Sequence, residues 1–293
     1  MKTPLTTPRL LAWLALAAML LIMLAPLAIM LRTAIEQPTA LIDNAHRLWA
    51  QQPTLVNFQR VLGGLSHDEN LALGGSGAET NFLAALGRSL VFTALVVVMQ
   101  TACSAMAAYA FARLRFPGRR VIFAAFMASM MLPGVVLFIP NFILIRDLGW
   151  LNSMAGMVAP FALMSGFSIF FLRQFFLALP RDLEEAATLD GASPWLTFRR
   201  IVLPLNIAPL ATIAMLTGIG AWNEFFWPFI VAPGEDHQLL PVALQSFKAQ
   251  SPQGAVDWTG LMAASTVALL PTLVLLLVAG RKVVESVQFS GGK

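Results

Sequence analysis

Long apolar stretches without a charged residue recur along the chain, separated by polar segments that carry its charges. A spanning helix needs about 20 apolar residues, because the hydrocarbon core of a bilayer is about 30 Å thick and a helix rises 1.5 Å per residue. Six windows of 22 to 25 residues meet this requirement: Leu10–Leu31, Ser89–Ala112, Val121–Ile145, Leu148–Leu172, Ile201–Asn223 and Trp258–Gly280. The pattern predicts an all-α integral membrane protein with six transmembrane helices.

Composition supports this prediction. The 293 residues are 58% hydrophobic and 12% charged, with a mean hydropathy of +0.74, whereas soluble domains carry about twice that charged fraction. Lys2 and Arg9 precede the first window as in a signal peptide, but the apolar run is too long and no small-residue cleavage site follows it. We therefore expect an uncleaved first span. Cys103, the single cysteine, lies in the second window, which excludes an intrachain disulfide.

The basic residues are distributed as a topology signal. With a cytoplasmic N-terminus, six spans return the C-terminus to the same side, and the inside segments hold 13 of the 19 basic residues. This arrangement satisfies the positive-inside rule. The net charge of +4 is thereby explained without a nucleic-acid partner. The prediction is a multi-pass protein of a bacterial-type inner (plasma) membrane with both termini cytoplasmic.

The same windows predict the organisation of the chain. We expect a cytoplasmic N-terminus (1–9), a first transmembrane helix (10–32), a long extracytoplasmic loop (33–86), a core domain of five helices (87–281) and a cytoplasmic tail (282–293). In the long loop, Gly63–Asn70 is rich in turn residues and is expected to be a flexible loop. Leu55–Leu62 has helical spacing; it lies either along the membrane surface or in an ordinary loop helix.

Prolines fall inside several windows. They are Pro26, Pro133, Pro140, Pro160 and Pro271. Membrane helices tolerate proline because neighbouring groups satisfy the freed carbonyls. General tolerance is the favoured interpretation, and kinks that help to line a cavity are the alternative. The second outer segment, from about Ala232 to Asp257, contains three prolines and two glycines and is expected to be a shaped loop.

The segment between the fourth and fifth windows, residues 180–204, has the most informative local pattern, and we call it the knuckle. Asp182 is a suitable N-cap, and Glu185 three residues later gives the spacing of a capping box. Gly191 offers a helix stop that can adopt positive φ. The first half of the knuckle therefore reads as a short helix that ends in a glycine elbow.

A second helix is predicted after the elbow. Ser193 is a suitable N-cap, and Pro194 occupies the favoured first helical position. Roughly one face of this helix carries Trp195, Phe198, Ile201 and Val202. Pro204 then marks the entry to the next span. Two short helices joined by an elbow are suited to docking by another protein, and a simple amphipathic linker is the alternative.

The knuckle resembles the EAA loop of ABC-importer permeases. The resemblance is carried by Glu185-Ala186-Ala187, then Gly191 after three residues, and then Ile201-x-Leu203-Pro204. It implies a type I ABC-importer permease fold whose cytoplasmic coupling helices seat in a cleft of the ATPase subunit. The docking residues implied in this way are Glu184, Glu185, Ala186, Ala187, Asp190, Gly191, Ile201, Leu203 and Pro204.

Other stretches are similar to the carbohydrate branch of that family, the maltose and glycerol-phosphate permeases. They are Ala108–Gly118, Leu132–Val136 with Pro140, Leu148–Asn152 and Trp222–Pro228. The resemblance implies import of a sugar or related polar solute. It also implies a second homologous permease, an ABC ATPase dimer and an extracytoplasmic solute-binding protein as partners. Trp222, Asn223 and Glu224 are candidates for an outer gate or a solute or binding-protein contact, and an interfacial aromatic anchor that includes Trp227 is the alternative.

The energy source is expected to lie on another subunit. The chain contains no G-x-x-x-x-G-K-[ST] phosphate loop. We therefore expect that this chain binds no cofactor, and that ATP and Mg bind to the partner ATPase. His46, His67 and His237 lie far apart in sequence, which argues against a metal site or a catalytic triad. The expected protein is a transport subunit and not an enzyme.

Three alternatives remain. An ABC permease for a non-sugar solute would share the knuckle. A stand-alone secondary transporter or channel would work without a nucleotide-binding partner, although ionisable residues, which normally mark proton coupling, are missing from the span interiors. A membrane scaffold without transport would leave the knuckle unexplained.

Overall fold

The computed structural model describes residues 7–44, 46–74, 81–248 and 256–289. Every named element in these residues is a helix. The α-helices are α1 Thr7–Ala34, α2 Val56–Val61, α3 His67–Ala72, α4 Phe82–Arg113, α5 Arg119–Ser129, α6 Phe138–Asp147, α7 Met154–Ala162, α8 Gly166–Ala178, α9 Asp182–Leu189, α10 Pro194–Thr197, α11 Leu203–Leu205, α12 Ile207–Trp222, α13 Phe226–Val231, α14 Leu240–Ala243 and α15 Trp258–Phe289. A π-helix, Phe198–Val202, joins α10 to α11, and short 3₁₀ turns occur at Pro38–Ala40, Gly134–Leu137, Glu235–His237 and Leu244–Lys248.

Three helices are long and apolar enough to cross a membrane unbroken. They contain the segments Leu10–Ala34, Phe82–Arg113 and Trp258–Leu277. Pro26 and Pro271 lie inside two of these helices without ending them, in agreement with the expected tolerance. The described side chains of α1 are largely exposed as far as Ile29. A helix that is apolar on every side needs lipid or another protein around it, as expected of a first span.

The other three windows correspond to bent helix pairs. Arg119–Ser129 and Gly134–Asp147 meet at 100°, Met154–Ala162 and Gly166–Ala178 at 46°, and Pro194–Leu205 and Ile207–Trp222 at 81°. The first bend falls in the break that contains Pro133, so this proline does not lie inside a continuous helix. With each pair counted as one span, the described residues contain the six spans predicted, and the all-helical membrane fold is confirmed.

The chain divides into two compact units. Unit 1 comprises Met1–Ala84 with Ala243–Leu270, and unit 2 comprises Ala85–Val242 with Pro271–Lys293. Unit 1 is organised around the buried guanidinium of Arg60, which forms an ion pair with Asp257. The two side chains are each only 2% exposed. Arg60 also donates to Asn57 Oδ1 at 3.0 Å and to Asn70 Oδ1 at 2.8 Å, so one side chain joins α2, α3 and the start of α15.

The polar network of unit 1 continues to the end of the first span. The Asn57 amide donates to the carbonyl oxygens of Ala34, at 2.9 Å, and Glu36, at 2.8 Å. The buried Glu36 carboxylate pairs with Arg32 at 3.0 Å. Buried polar groups stabilise a fold only when their partners are present. This network therefore fixes the outer loop to the ends of the first and last spans.

The turn-rich stretch of the first loop is more ordered than the sequence indicates. Instead of a continuous flexible loop, it contains the start of α3, and Ser66 and Glu69 form a capping box there. Hydrogen bonds from the Ser66 backbone N–H and hydroxyl lower the pKa of the Glu69 carboxyl. The predicted helix in Leu55–Leu62 is confirmed as α2, and its buried residues include Asn57, Arg60 and Val61.

The core of unit 2 packs the second half of α4 against the knuckle. Its apolar cluster consists of Ala105, Ala108, Tyr109, Ala112, Leu172, Phe176, Phe198, Val202 and Ile213. Small residues on α4 allow the neighbouring helices to approach closely. The knuckle thus shares one hydrophobic core with α4, α8 and α12.

The first part of α4 packs against the second outer segment. Arg88 donates to the Asp236 carbonyl oxygen, and the Leu240 amide donates to Ser89 Oγ at 2.7 Å. A helix of 32 residues is about 48 Å long at 1.5 Å per residue. The knuckle and the 232–240 segment therefore contact opposite ends of a helix that is longer than the bilayer core is thick.

Candidate functional site: a helical knuckle and a partly polar cavity

The first knuckle helix begins differently from the prediction. Asp182 is the first residue of α9, and the N-cap position falls on Arg181, whose side chain makes no capping hydrogen bond. The Arg181 carbonyl oxygen accepts from the amides of Glu184 and Glu185, both at 2.9 Å. Because Arg181 is itself in the α-helical region, the Asp182 side chain is too far into the helix to cap it. The predicted capping box is wrong, although three acidic side chains in the first turn still favour the helix dipole.

The glycine elbow is confirmed. Gly191 has φ of 81°, a left-handed conformation that side chains with a Cβ disfavour. Its amide donates to the Thr188 carbonyl oxygen, and the Ala192 amide donates to the Ala187 carbonyl oxygen. These two bonds form a Schellman motif, which satisfies the last carbonyls of α9. A Cβ at Gly191 would meet no atom within 4 Å, so only the backbone conformation requires glycine there.

The second knuckle helix begins as predicted and then changes from an α-helix to a π-helix. Ser193 Oγ accepts from the Leu196 amide at 3.3 Å, and Pro194 occupies the first helical position. The helix continues through the π-helical segment Phe198–Val202 into α11. Pro204 has no amide hydrogen to donate to the preceding turn, and π-helical turns often occur where the regular bonding is interrupted.

The predicted apolar face of this helix is confirmed only in part. Phe198 and Val202 are buried in the core cluster of unit 2. Ile201 is half-buried, whereas Trp195 keeps 59% of its surface exposed. The Trp195 ring contacts the buried Phe198 ring at a centroid distance of 5.5 Å, but most of its surface faces outward.

An ion pair holds the knuckle to the end of α4. Arg113 Nε lies 2.6 Å from Glu184 Oε1, and the two side chains are 7% and 18% exposed. The same guanidinium donates to the Leu179 carbonyl oxygen at 2.7 Å. Glu184, one of the predicted docking residues, therefore points toward the core. Arg113 was not predicted as a functional residue, although it directly follows the second window and lies in the Ala108–Gly118 stretch.

The remaining predicted docking residues are divided between the surface and the core. Glu185, Ala186, Asp190, Gly191 and Pro204 are exposed, Ala187 is buried, and Ile201 and Leu203 are half-buried. The surface also carries Leu189, which is 90% exposed and was not singled out from the sequence. Leu189 and Trp195 are thus exposed apolar side chains near the elbow of the knuckle, and exposed apolar surface often marks a protein-interaction site.

The three residues proposed at the end of the fifth span occupy different environments. Trp222 is buried and lines an apolar cavity. Asn223 is exposed, and its amide donates to the Ile219 carbonyl oxygen at 2.8 Å. Glu224 is half-buried and accepts from the Trp227 amide at 3.2 Å. Trp227 itself is buried, and its indole N–H donates to the Gly156 carbonyl oxygen, which argues against an exposed interfacial anchor.

Glu224 lines a partly polar cavity of about 300 Å³ in unit 2. The polar side chains that line this cavity are Gln100, Ser165, Ser168, Thr217 and Glu224. Phe92, Phe161 and Phe167 provide aromatic surface in the same cavity. Apolar and aromatic walls with a few convergent polar groups are typical of small-molecule sites.

The part of the chain that the structure describes contains no group of three or more His, Cys, Asp or Glu side chains arranged to hold a metal ion. Up to six helical spans beside a partly polar cavity define the class: this is a polytopic membrane protein. The family follows from comparison. Residues 100–285 match the family described as "Binding-protein-dependent transport system inner membrane component", and the chain belongs to that family.

Relatives of known role agree with this family. The diacetylchitobiose uptake system permease protein NgcG of Streptomyces coelicolor is 34% identical over 68% of this chain and 65% of that protein. The sn-glycerol-3-phosphate transport system permease protein UgpE of Pectobacterium atrosepticum is 33% identical, over 83% of this chain and 84% of that protein. The trehalose/maltose transport system permease protein MalG of Thermococcus litoralis is 31% identical, over 85% of this chain and 84% of that protein.

A solved structure supports the fold. One chain of a bacterial ABC transporter involved in the import of the acidic polysaccharide alginate superposes with a TM-score of 0.79 at 23% identity. The match covers 93% of this chain and 95% of that chain. The predicted resemblance to carbohydrate ABC permeases and the type I permease fold are both confirmed, and the protein is an integral inner-membrane protein.

Proposed function

We propose that this chain is the membrane-spanning permease of an ATP-driven importer that carries a sugar, oligosaccharide, polyol or glycerol-phosphate-like solute into the cytoplasm. The observation that carries the proposal is the position of the knuckle, which the Arg113–Glu184 ion pair fixes to the same helical core that holds the cavity. Motion applied to the knuckle would reach the cavity walls through packed helices. Sugar and glycerol-phosphate permeases among the relatives support the choice of solute class.

The proposed mechanism is alternating access. Two ATPase subunits, which bind ATP and Mg, close on each other and move the knuckle with them. The core helices then shift the cavity between inward-facing and outward-facing states. We expect an external binding protein to deliver solute at the end of α4 that contacts the 232–240 segment, and a second homologous permease to complete the pathway. The knuckle and both termini lie in the cytoplasm in this proposal, and the exposed docking residues contact the ATPase.

The deciding experiment is purification of the chain from its native membrane, with identification of the co-purifying proteins and assay of ATP hydrolysis. Recovery of a P-loop ATPase and a second six-span protein, with hydrolysis stimulated by a solute-loaded binding protein, is the expected result. Solute flux in vesicles by the purified chain alone and without ATP would instead identify a stand-alone secondary transporter. Stimulation only by a non-sugar solute would leave the ABC assignment intact and overturn the solute class.

Gly191→Val is expected to reduce ATP-driven uptake about tenfold or more while leaving membrane insertion intact. Valine disfavours φ of 81°, and the left-handed conformation costs about 1–2 kcal/mol for a residue with a Cβ. The elbow would relax and change the angle between the two knuckle helices. Uptake into vesicles, normalised to the amount of inserted protein, measures the effect.

Gly191→Asn is the matched control, because asparagine tolerates left-handed backbone and a Cβ at this position meets open space. It is expected to retain most of the uptake. Equal uptake by the valine variant and the wild-type chain would remove the elbow from the coupling mechanism.

Glu224→Gln is expected to weaken solute transport about tenfold, because a charge-assisted hydrogen bond to a hydroxyl contributes about 1.5–3 kcal/mol. Glutamine keeps an oxygen for the Trp227 amide, so the local fold should survive. Uptake should fall while the ATPase still co-purifies. Asp147→Asn removes an exposed carboxylate outside the cavity and should have little effect. Equal uptake by the two variants would exclude Glu224 as a solute contact.

A further inference from the structure

Four arginines line a separate pocket of about 350 Å³ at the end of α4. The lining residues are Ala112, Arg113, Arg115, Arg119, Leu177, Arg181, Glu184, Glu185 and Thr188. The pocket lies between the loop that follows α4, the end of α8 and the first helix of the knuckle. It is distinct from the partly polar cavity, with which it shares no lining residue.

The pocket carries an uncompensated positive charge. Its two acidic side chains are Glu184 and Glu185, and the first is already paired with Arg113. Arg115, Arg119 and Arg181 make no ion pair within the residues that the structure describes. Arg119 donates to the Leu114 carbonyl oxygen at 2.9 Å, which leaves most of its guanidinium N–H groups available. Three guanidinium groups around one cavity form a site for an anion.

The pocket also lies at an apolar boundary. Ala112 and Leu177 form part of its wall, and Ala112 is the last residue of the second apolar window. Next to it, Phe111 contacts the rings of Phe116, Phe123 and Phe126 with centroid distances of 5.5 to 5.9 Å. An anion that enters this pocket therefore meets arginines and, at Ala112 and Leu177, two apolar side chains where an apolar span ends. An amphiphile fits this environment better than a fully hydrated ion.

We propose that the pocket binds the phosphate of an acidic phospholipid headgroup. Guanidinium groups bind phosphate oxygens in pairs, and basic pockets between transmembrane helices suit such headgroups. The bound phosphate would bridge Arg115, in the loop after α4, to Arg181, directly before α9. The lipid would thereby brace the base of the knuckle beside the Arg113–Glu184 ion pair. This inference goes beyond the proposed transport function and does not depend on the solute or on the ATPase.

Binding of labelled phosphatidylglycerol to the purified full-length chain tests the proposal. The chain is titrated in mixed micelles with phosphatidylcholine as the neutral lipid, and inorganic phosphate is the competitor. The double variant Arg115→Gln/Arg181→Gln is compared with Arg199→Gln/Arg200→Gln. The second pair also removes two exposed arginines of the knuckle region, but neither residue lines the pocket. Near-unchanged far-UV circular dichroism would show that each variant is folded.

Saturable binding of phosphatidylglycerol is expected, with affinity reduced about thirtyfold in Arg115→Gln/Arg181→Gln, because each basic residue contributes about a fivefold factor near an anionic headgroup. The Arg199→Gln/Arg200→Gln variant should bind as the wild-type chain does. Equal losses in both variants would show diffuse attraction to the surface and overturn the site. Full competition by millimolar inorganic phosphate would assign the pocket to free phosphate and overturn the lipid. Unchanged binding in both variants would exclude the pocket altogether.

Discussion

Arg60→Met is expected to lower the apparent melting temperature of the purified protein by about 5–10 °C. Removal of one partner from a buried ion pair costs about 3–5 kcal/mol, since the remaining charge stays away from water without its counter-ion. Arg60 and Asp257 are each 2% exposed, and Arg60 also binds Asn57 and Asn70. Thermal unfolding in mild detergent, followed by fluorescence, measures the loss.

A double-mutant cycle separates the ion pair from the rest of the network. Asp257→Asn should also be destabilising, and Arg60→Met/Asp257→Asn should lose less than the sum of the two single variants. Arg47→Met is the control, because Arg47 lies in the same outer segment and its bond to Gln51 is exposed. A melting temperature of Arg60→Met within a degree of that of Arg47→Met would show that the buried pair contributes nothing.

Arg113→Gln is expected to reduce ATP-driven uptake at least tenfold. The guanidinium forms an ion pair with Glu184 and a hydrogen bond to the Leu179 carbonyl oxygen, and these two contacts are largely shielded from water. Without them, α9 is no longer fixed to the core, so that movement of the knuckle is not passed on to the helices around the cavity. Uptake and ATP hydrolysis measured together would show hydrolysis without matching transport.

Conservative variants test whether loss of the Arg113–Glu184 ion pair causes the uptake defect. Arg113→Lys keeps the charge but cannot reproduce the geometry of both guanidinium contacts, and its uptake should be intermediate. Glu184→Gln should approach the Arg113→Gln defect, whereas Asp182→Asn, on the same helix but exposed, should not. If Glu184→Gln and Asp182→Asn transport equally well, the ion pair has no part in coupling.

The sequence predicted the spans well and the bends poorly. The charge-free windows identified all six spans, because the bilayer requires long uninterrupted apolar stretches. Proline alone could not locate the bends, since Pro26 and Pro271 lie inside continuous helices whereas Pro133 lies at a 100° bend. The difference depends on the helices that pack around each proline, and a single sequence does not contain that information.

The sequence predicted some helix-capping residues correctly and placed others at the wrong position. Ser193 and Gly191 act as expected, because a cap followed by Pro194 and a positive-φ glycine leave few alternatives. Asp182 was wrong by one helical position, and the capping box of Ser66 and Glu69 was missed. A cap motif shows that a helix end is near, and tertiary contacts then select the residue where the helix begins.

The sequence did not predict the contacts between residues that lie far apart in the chain. Arg60 and Asp257 are 197 positions apart, and Arg113 and Leu179 are 66 apart. Asp257 and Arg113 directly flank apolar windows, where charged residues are common, so hydropathy does not indicate their partners. The resemblance to the EAA loop located the knuckle, but only the fold shows that Glu184 faces inward while Leu189 and Trp195 face outward. The docking role of the individual residues stays a prediction.

The exposed tip of the knuckle has a consequence for assembly. In the proposed complex the ATPase would cover Leu189 and Trp195, which are exposed in the chain alone. Chaperones and membrane proteases bind uncovered apolar side chains of this kind. A chain made in excess of its ATPase would therefore display a degradation signal that docking removes, and the cell would keep permease and ATPase in matching amounts without separate control of their synthesis.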